Sequence, residues 1–232
     1  MIKIGLLAIL TFLIFETDTF CQSTENQGWL FLSHTQKFSK KWDGLADIQL
    51  RSADKLIRFE TVLLRGGLSY NIGDEHAVAV GYTYKGDWEE GENKLNYQTE
   101  HRIYQQYLYN HDIKRTEVNV RFRLEQRFVK ELEGFNFSQR LRGFLSFQIP
   151  LSVNQDFSKG VYTGIQNELF VNVQHKENVN NSFFDQNRAY ISVGYRWSER
   201  VDTEIGYMNW RQKEMNEKTK TDVLQLMITT KL

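Results

Sequence analysis

The chain has 232 residues, with 29 lysines and arginines against 29 aspartates and glutamates, so its formal net charge is zero. This balance lacks the basic excess that nucleic-acid-binding proteins use, and we expect no nucleic-acid partner. A mean hydropathy of −0.53 is too low for a bundle of membrane helices, each of which needs about 20 apolar residues. A single proline and 14% aromatic residues argue against a disordered, low-complexity chain.

The first segment is typical of a secretory signal peptide. Lys3 precedes an apolar run from Ile4 to Phe15, and a polar stretch follows up to Cys21. An apolar run of about 12 residues is short for a spanning helix but suits the hydrophobic part of a signal peptide. We predict a cleaved signal peptide over residues 1–21 and an exported domain over residues 22–232. In an alternative interpretation Cys21 is the acylated first residue of a lipoprotein, although Asp18-Thr-Phe is an unusual lead-in for it.

The remainder of the chain alternates between apolar and polar residues with period two. Within residues 117–128 one set is apolar except at Gln126, and the other set is charged or polar. A helix would scatter both sets around its circumference, so the pattern predicts a strand with one apolar and one charged face. Roughly eleven such segments follow one another without a long linker, which predicts one all-β domain. A phase change near Leu63-Leu64 suggests a β-bulge.

Three β architectures compete for this pattern. A soluble β-sandwich would bury its apolar faces in a shared core, and a lipocalin-like barrel would be apolar inside and charged outside. A transmembrane barrel inverts that arrangement, with apolar side chains toward lipid and polar side chains toward the lumen. Its spanning strands need about 9–11 residues, which the alternating segments supply. We therefore predict a single transmembrane antiparallel β-barrel of about 10–12 strands in the outer membrane.

Further features favour the membrane. The chain ends inside an alternating segment, at Leu232, and outer-membrane barrels close with a terminal strand of this kind. Bacterial barrels have an even number of strands, so we expect about ten or twelve. With a periplasmic C-terminus, the segments 86–96, 176–182 and 213–219 would lie outside the cell. Aromatic residues near the ends of the segments match the girdles that mark the two membrane interfaces: Trp42, Tyr82, Tyr84, Tyr107, Tyr109, Tyr195 and Trp197.

Two motifs carry a family resemblance. Glu100-His-Arg-Ile-Tyr-Gln-Gln106 and Arg121-Phe-Arg-Leu-Glu-Gln-Arg127 resemble the uncharacterised outer-membrane β-barrel family numbered 2490 among domains of unknown function. Trp29, Lys41-Trp42 and Arg51 are compatible with it. The resemblance covers nearly all of the mature chain and implies a gram-negative outer-membrane location, since members are similar to predicted outer-membrane proteins, many from Bacteroidota. It implies no established activity, and no catalytic residue is carried over.

The charged set predicts the lining of the lumen. Ion pairs across a small barrel would fill and rigidify it, which is the structural interpretation. In the other interpretation the lumen is a narrow pore, and its arginines favour anions. The charged lumen-lining candidates are Glu100, Arg102, Glu117, Arg121, Arg123, Glu125, Arg127, Arg140, Arg142, Glu168, Arg188 and Arg196.

We predict no enzymatic activity and no catalytic, cofactor-binding or metal site. The five histidines have no evident nucleophile or third ligand beside them, and a Gly-x-Ser-x-Gly elbow is absent from the sequence. The expected partners are outer-membrane lipid and, during biogenesis, the barrel assembly machinery. Two alternatives stay open: an outer-membrane lipid hydrolase with a dispersed triad, and a periplasmic β-sandwich binding module.

Overall fold

A computed structural model describes residues 22–90, 95–132 and 134–232. Within these ranges the fold is all-β, and no helix there is long and apolar enough to cross a membrane. The predicted signal peptide lies outside the described residues and stays a prediction. The strands are β1 (Gln22–Lys37), β2 (Trp42–Ser52), β3 (Phe59–Asn71), β4 (His76–Glu90), β5 (Leu95–Ile113), β6 (Thr116–Glu131), β7 (Gly134–Val153), β8 (Gly160–Gln174), β9 (Phe184–Ser198), β10 (Val201–Lys213) and β11 (Lys218–Lys231).

The strands form a closed barrel, which confirms the predicted all-β barrel and rules out the β-sandwich. Each strand pairs in antiparallel fashion with the next, and β1 pairs with β11 in parallel, with Gln22 opposite Lys218 and Thr35 opposite Lys231. The described residues contribute eleven strands, so the expectation of an even number was wrong. The odd count accounts for the parallel pairing, because the first and last strands of an up-and-down meander run in the same direction when the number of strands is odd.

The two ends of the barrel differ in their connections. The turns after β1, β3, β5, β7 and β9 lie at one end together with Leu232, which we call the C-terminal end. The connections after β2, β4, β6, β8 and β10 lie at the other, which we call the loop end. The described parts of segment 86–96 and the segments 176–182 and 213–219 share the loop end. Much of segment 86–96 is strand rather than loop, because β4 and β5 stay paired up to Glu90 opposite Leu95.

The phase change predicted to be a bulge has another cause. Leu63 and Leu64 pair without interruption with Gln49 and Ile48, so no bulge interrupts β3 there. Leu63 points into the barrel and is 2% exposed, whereas Leu64 points outward and is 43% exposed. The two leucines are therefore ordinary neighbours on opposite faces. The register shift between β2 and β3 lies instead at Arg51/Ser52.

The barrel is polar inside and apolar outside. Inward-facing positions hold most of the buried polar side chains, such as Glu125 and Thr221, which are 1% and 0% exposed. Outward-facing positions hold large apolar side chains, such as Phe122 and Ile191, which are 54% and 55% exposed. A soluble barrel shows the opposite distribution.

Glycines facing the interior make room for buried tyrosines. Tyr162 is fully buried and lies directly across from Gly194, where a methyl group would come within 2.3 Å of the tyrosine Cζ. At Gly143, by contrast, an added Cβ would meet only the Phe122 ring at 3.8 Å, an ordinary contact. The aromatic ring thus occupies the space that a side chain on the facing strand would need.

This contrast gives a prediction on stability. We expect Gly194→Ala to lower the free energy of unfolding by about 1–3 kcal/mol, because the close-packed interior cannot absorb the methyl group. Gly143→Ala is the matched control, and we expect it to be close to neutral. Denaturant unfolding of the two variants in detergent micelles measures the difference. Equal stabilities would contradict the packing of Tyr162 against Gly194.

Candidate functional site: the barrel interior

The structure places all twelve predicted charged residues on the inward side of their strands. Eight are buried, and Glu117, Arg121, Arg127 and Arg188 are half-buried. They come from β5, β6, β7, β8 and β9, where alternation puts every second residue inside. Cross-strand neighbours then bring opposite charges together.

Glu125 is the centre of the largest cluster. Its Oε2 accepts hydrogen bonds from Arg140 Nη2 at 2.6 Å and Nε at 3.1 Å, and its Oε1 accepts one from Arg142 Nη1 at 2.5 Å. Arg140 also donates to Asp185 at 2.7 Å, which ties β6 and β7 to β9. Because the carboxylate is buried, these charge-assisted bonds replace all of its hydration.

Glu168 extends this cluster around the barrel. Its Oε1 accepts from Arg142 Nη2 at 2.7 Å and from Arg121 Nη2 at 2.8 Å. Arg142 therefore bridges Glu125 on β6 and Glu168 on β8. The three strands are cross-linked through the lumen as well as through their backbone ladders.

Two further clusters lie nearer the ends of the barrel. Toward the loop end, Glu100 binds Arg102 at 2.7 Å and Arg127 at 2.5 Å. Toward the C-terminal end, Arg196 donates to Glu117 at 2.6 Å and to Asp202 at 3.0 Å. Ten of the twelve predicted residues lie in these ion-pair clusters. Arg123 comes no closer than 3.7 Å to Glu125, and Arg188 has a different environment.

Arg188 belongs to an aromatic stack that the sequence analysis did not identify. Its guanidinium lies 5.1 Å from the ring of Trp29, 4.8 Å from Trp210 and 4.9 Å from Phe170. Arg51 lies 3.9 Å from the Trp29 ring, and the two tryptophans pack edge to face at 5.1 Å. These aromatic residues lie at inward-facing positions of otherwise polar strands. Their positions along the strands could therefore have indicated an aromatic cluster inside the barrel.

Other inward ion pairs were also missed. Arg65 pairs with Asp47, and Lys85 pairs with Asp87 at 2.5 Å. The predicted bulge at Leu63-Leu64 left the facing of Arg65 undefined. Strict alternation along β3 would have placed it beside Asp47, its cross-strand neighbour on β2.

A cavity of about 670 Å³ occupies the half of the barrel near the C-terminal end. Its mouth is lined by residues close to the strand ends, among them Asp43, Asp112 and Lys231. Its floor is lined by five arginines, Arg65, Arg121, Arg123, Arg142 and Arg188, and two carboxylates, Asp47 and Glu168. We call this cavity the vestibule.

The loop half of the interior is packed closed. Arg51, Glu100, Arg102, Arg140 and Asp185 lie beyond the vestibule floor and are between 3% and 8% exposed. None of these five lines the vestibule. The ion pairs of Glu100 and Glu125, together with the Trp29–Trp210 stack, therefore separate the vestibule from the loop end.

The histidines lie away from the vestibule floor. His34 contacts the Thr230 hydroxyl at 2.8 Å, His76 the Tyr107 hydroxyl at 2.7 Å, and His111 the Glu75 carboxylate at 2.7 Å. The hydrogen bond to His111 lowers the pKa of Glu75, which lies in the turn after β3. Among the described residues, no group of three or more His, Cys, Asp or Glu side chains is arranged to hold a metal ion.

Comparison with known proteins identifies the family. Neither the curated proteins nor the solved structures gave a match to this chain. A family model described as "Protein of unknown function (DUF2490)" matches residues 26–221, which include β2 to β10 and most of β1. The matched range contains both motifs that carried the resemblance in the sequence, Glu100–Gln106 and Arg121–Arg127. The chain belongs to the DUF2490 family of proteins of unknown function.

Proposed function

We propose that this protein is a non-enzymatic β-barrel of the gram-negative outer membrane, with a lumen that is closed by its own side chains. The observation that carries the proposal is the inverted polarity of the barrel, with ion pairs inside and an apolar surface outside. An exposed apolar band around a closed barrel is costly in water and favourable in lipid. The strands have 11 to 20 residues, enough for the span of about 9–11 that a membrane requires.

Aromatic residues support the membrane placement. At the C-terminal end, Trp42 packs on Tyr70 at 4.9 Å and Tyr195 packs on Trp197 at 4.6 Å, all on the outer face. At the loop end, Trp88 packs on Tyr97 at 4.8 Å. Amphipathic rings at both rims fit the two interfaces of a membrane.

Outward amides satisfy one another. Gln105 and Gln126 exchange two hydrogen bonds of 3.1 and 3.0 Å across β5 and β6. Asn167 and Asn187 do the same across β8 and β9, at 3.4 and 3.0 Å. Reciprocal pairing removes the need for water, which suits polar side chains that face hydrocarbon.

The interior favours a structural barrel over an open narrow pore. Ions crossing the barrel would have to pass the buried layer of Glu100, Arg102, Glu125 and Arg140, whose charged groups are bonded to one another. Removing one partner from a buried ion pair costs about 3–5 kcal/mol, so paired charges of this kind favour a closed layer. The proposed partners are outer-membrane lipid and, during biogenesis, the barrel assembly machinery.

The lipid hydrolase is the weaker candidate. It needs a serine and a histidine that meet on the outer surface, whereas the described histidines contact threonine, tyrosine or glutamate. His34 and Thr230 come closest to a nucleophile–base pair, yet the Thr230 hydroxyl also lies 3.3 Å from the Ser33 carbonyl oxygen, to which it donates. The hydroxyl proton is therefore directed at the backbone carbonyl oxygen and not at the imidazole.

The test is reconstitution of the refolded protein into lipid bilayers. We expect a heat-modifiable band on gels, co-flotation with liposomes and no steady single-channel conductance in planar bilayers. A protein that stays soluble and never shows the mobility shift would overturn the membrane proposal. Discrete conductance steps would overturn the closed lumen and favour the narrow pore. As a control, Arg200→Gln changes an exposed residue and leaves the lumen unchanged, so it should give the same three results.

A further inference from the structure

The floor of the vestibule holds more positive than negative charge. Five arginines and two carboxylates line it, and Arg142 has one further carboxylate partner, Glu125 at 2.5 Å, which does not line the vestibule, so arginines still outnumber carboxylates. The surplus is local, because the whole chain is neutral. Uncompensated charge inside a protein is unfavourable unless a counter-charge is supplied.

The two carboxylates are already shared. Glu168 Oε1 accepts from both Arg121 and Arg142, and Asp47 is taken by Arg65. Arg123 donates to the neutral Gln106 at 2.7 and 2.9 Å, and its contact with Glu125 is 3.7 Å long. The arginines therefore compete for too few oxygen atoms.

Arg121 and Arg188 each keep a buried Nε that has no hydrogen-bond partner. Arg121 forms one hydrogen bond, from Nη2 to Glu168, and Arg188 forms one, from Nη2 to Gln186 at 2.9 Å. Among the described residues, no carboxylate oxygen lies within ion-pair distance of Arg188. Each guanidinium offers five N–H groups, so most of those on these two residues are free for a ligand.

We propose that the floor of the vestibule is a binding site for a small anion whose charge is carried by carboxylate or phosphate oxygens. Such a ligand would supply the missing acceptors to Arg121 and Arg188, with Arg123 beside them. A guanidinium fork fits two oxygens of either group. The vestibule volume, about 670 Å³, lies within the range of about 300–1,000 Å³ for small-molecule sites. Trp29, Phe31 and Phe144 line the same space and would contact the uncharged part of an organic anion.

The ligand enters from the C-terminal end, where the vestibule opens. Asp43, Asp112 and Glu117 lie at the mouth, and Glu117 is neutralised by Arg196. Lys231 also lines the mouth, and the attraction for an anion comes from the arginines of the floor. The inference goes beyond the proposed function, because it concerns a site inside the barrel and holds in detergent as well as in a membrane.

The experiment is calorimetric titration of the folded protein in detergent with two probes, inorganic phosphate and citrate, at constant ionic strength. We expect saturable binding of one probe or both, and the comparison tells whether phosphate or carboxylate oxygens are preferred. Arg121→Gln and Arg188→Gln should each weaken binding by about tenfold or more, since each removes a charge-assisted hydrogen bond. Arg121→Gln leaves Glu168 bonded to Arg142, so this variant should still fold.

Arg200→Gln is the matched control, because it removes one exposed arginine at the same end of the barrel without touching the vestibule. Its affinity should equal that of the unchanged protein. Heat-modifiable mobility must first show that each variant is folded, and Arg188→Lys serves if Arg188→Gln does not fold. Absence of saturable binding to folded protein would overturn the site. Equal affinities for Arg121→Gln and the unchanged chain would also overturn it. Neither result would bear on membrane insertion or conductance.

Discussion

Glu125→Gln is expected to lower the free energy of unfolding by about 3–5 kcal/mol, the usual cost of removing one partner from a buried ion pair. Glu125 is 1% exposed and binds two buried arginines, Arg140 and Arg142, through both of its oxygens. Glutamine has nearly the same volume but no charge, and it retains a single oxygen. Two guanidinium groups would then face an amide in a region that water does not reach.

In Glu125→Gln, Arg142 should lose less hydrogen bonding than Arg140. Each arginine keeps one other carboxylate, Glu168 for Arg142 and Asp185 for Arg140. Arg140 donates two hydrogen bonds to Glu125, however, and Arg142 donates one. We therefore expect Arg140→Gln to relieve part of the destabilisation in the Glu125→Gln background, because it removes the cation that loses more hydrogen bonds when Glu125 is replaced. A double-mutant cycle on these two positions measures that coupling.

Glu131→Gln is the control, since Glu131 ends the same strand and is exposed at the loop end. The measurement is guanidinium-induced unfolding in detergent micelles, with the temperature at which gel mobility changes as a second readout. An unchanged midpoint for Glu125→Gln would mean that water reaches the cluster, and the closed lumen would then be untenable. A large effect of Glu131→Gln would show that the assay responds to net charge rather than burial.

The sequence was sufficient to predict the facing of the charged residues on β5 to β9, because alternation is a local property. Glu117, Arg121, Arg123 and Glu125 share one phase of β6, and any strand that closes into a membrane barrel must turn that phase inward. The same logic would have placed Arg65 had the segment around Leu63-Leu64 been treated as regular.

Other features depend on which strands meet and in what register, and a sequence alone does not fix these. The parallel pairing of β1 with β11 follows from an odd strand count, which weak loop signals could not settle. The vestibule depends on side chains from many strands that fill one half of the lumen and leave the other half empty. The stack of Trp29 on Trp210 joins residues at opposite ends of the chain.

That stack carries the second large prediction. Trp29 is 3% exposed, lies 3.9 Å from the Arg51 guanidinium and donates its indole N–H to Gln27 at 2.9 Å. Trp29→Ala should lower the free energy of unfolding by about 3–5 kcal/mol, as is usual when a buried aromatic side chain is truncated. Trp29→Phe keeps a ring for Arg51 and Arg188 and loses the indole hydrogen bond and part of the buried ring volume, so its effect should lie below that of alanine.

Trp197→Ala provides the comparison from the outer surface, because Trp197 is 58% exposed and packs at the rim on Tyr195. If the Trp29 ring stabilises the barrel through its contacts with Arg51 and Arg188, Trp29→Ala will be clearly less stable than Trp29→Phe in denaturant unfolding. Equal losses for Trp29→Ala and Trp197→Ala would indicate that aromatic area alone sets stability. Because Trp29 lies between the vestibule and the buried Arg51, the alanine variant also tests whether the structure of the vestibule floor depends on this one ring. We expect it to remain non-conducting, since the Glu100 and Glu125 clusters still close the loop half.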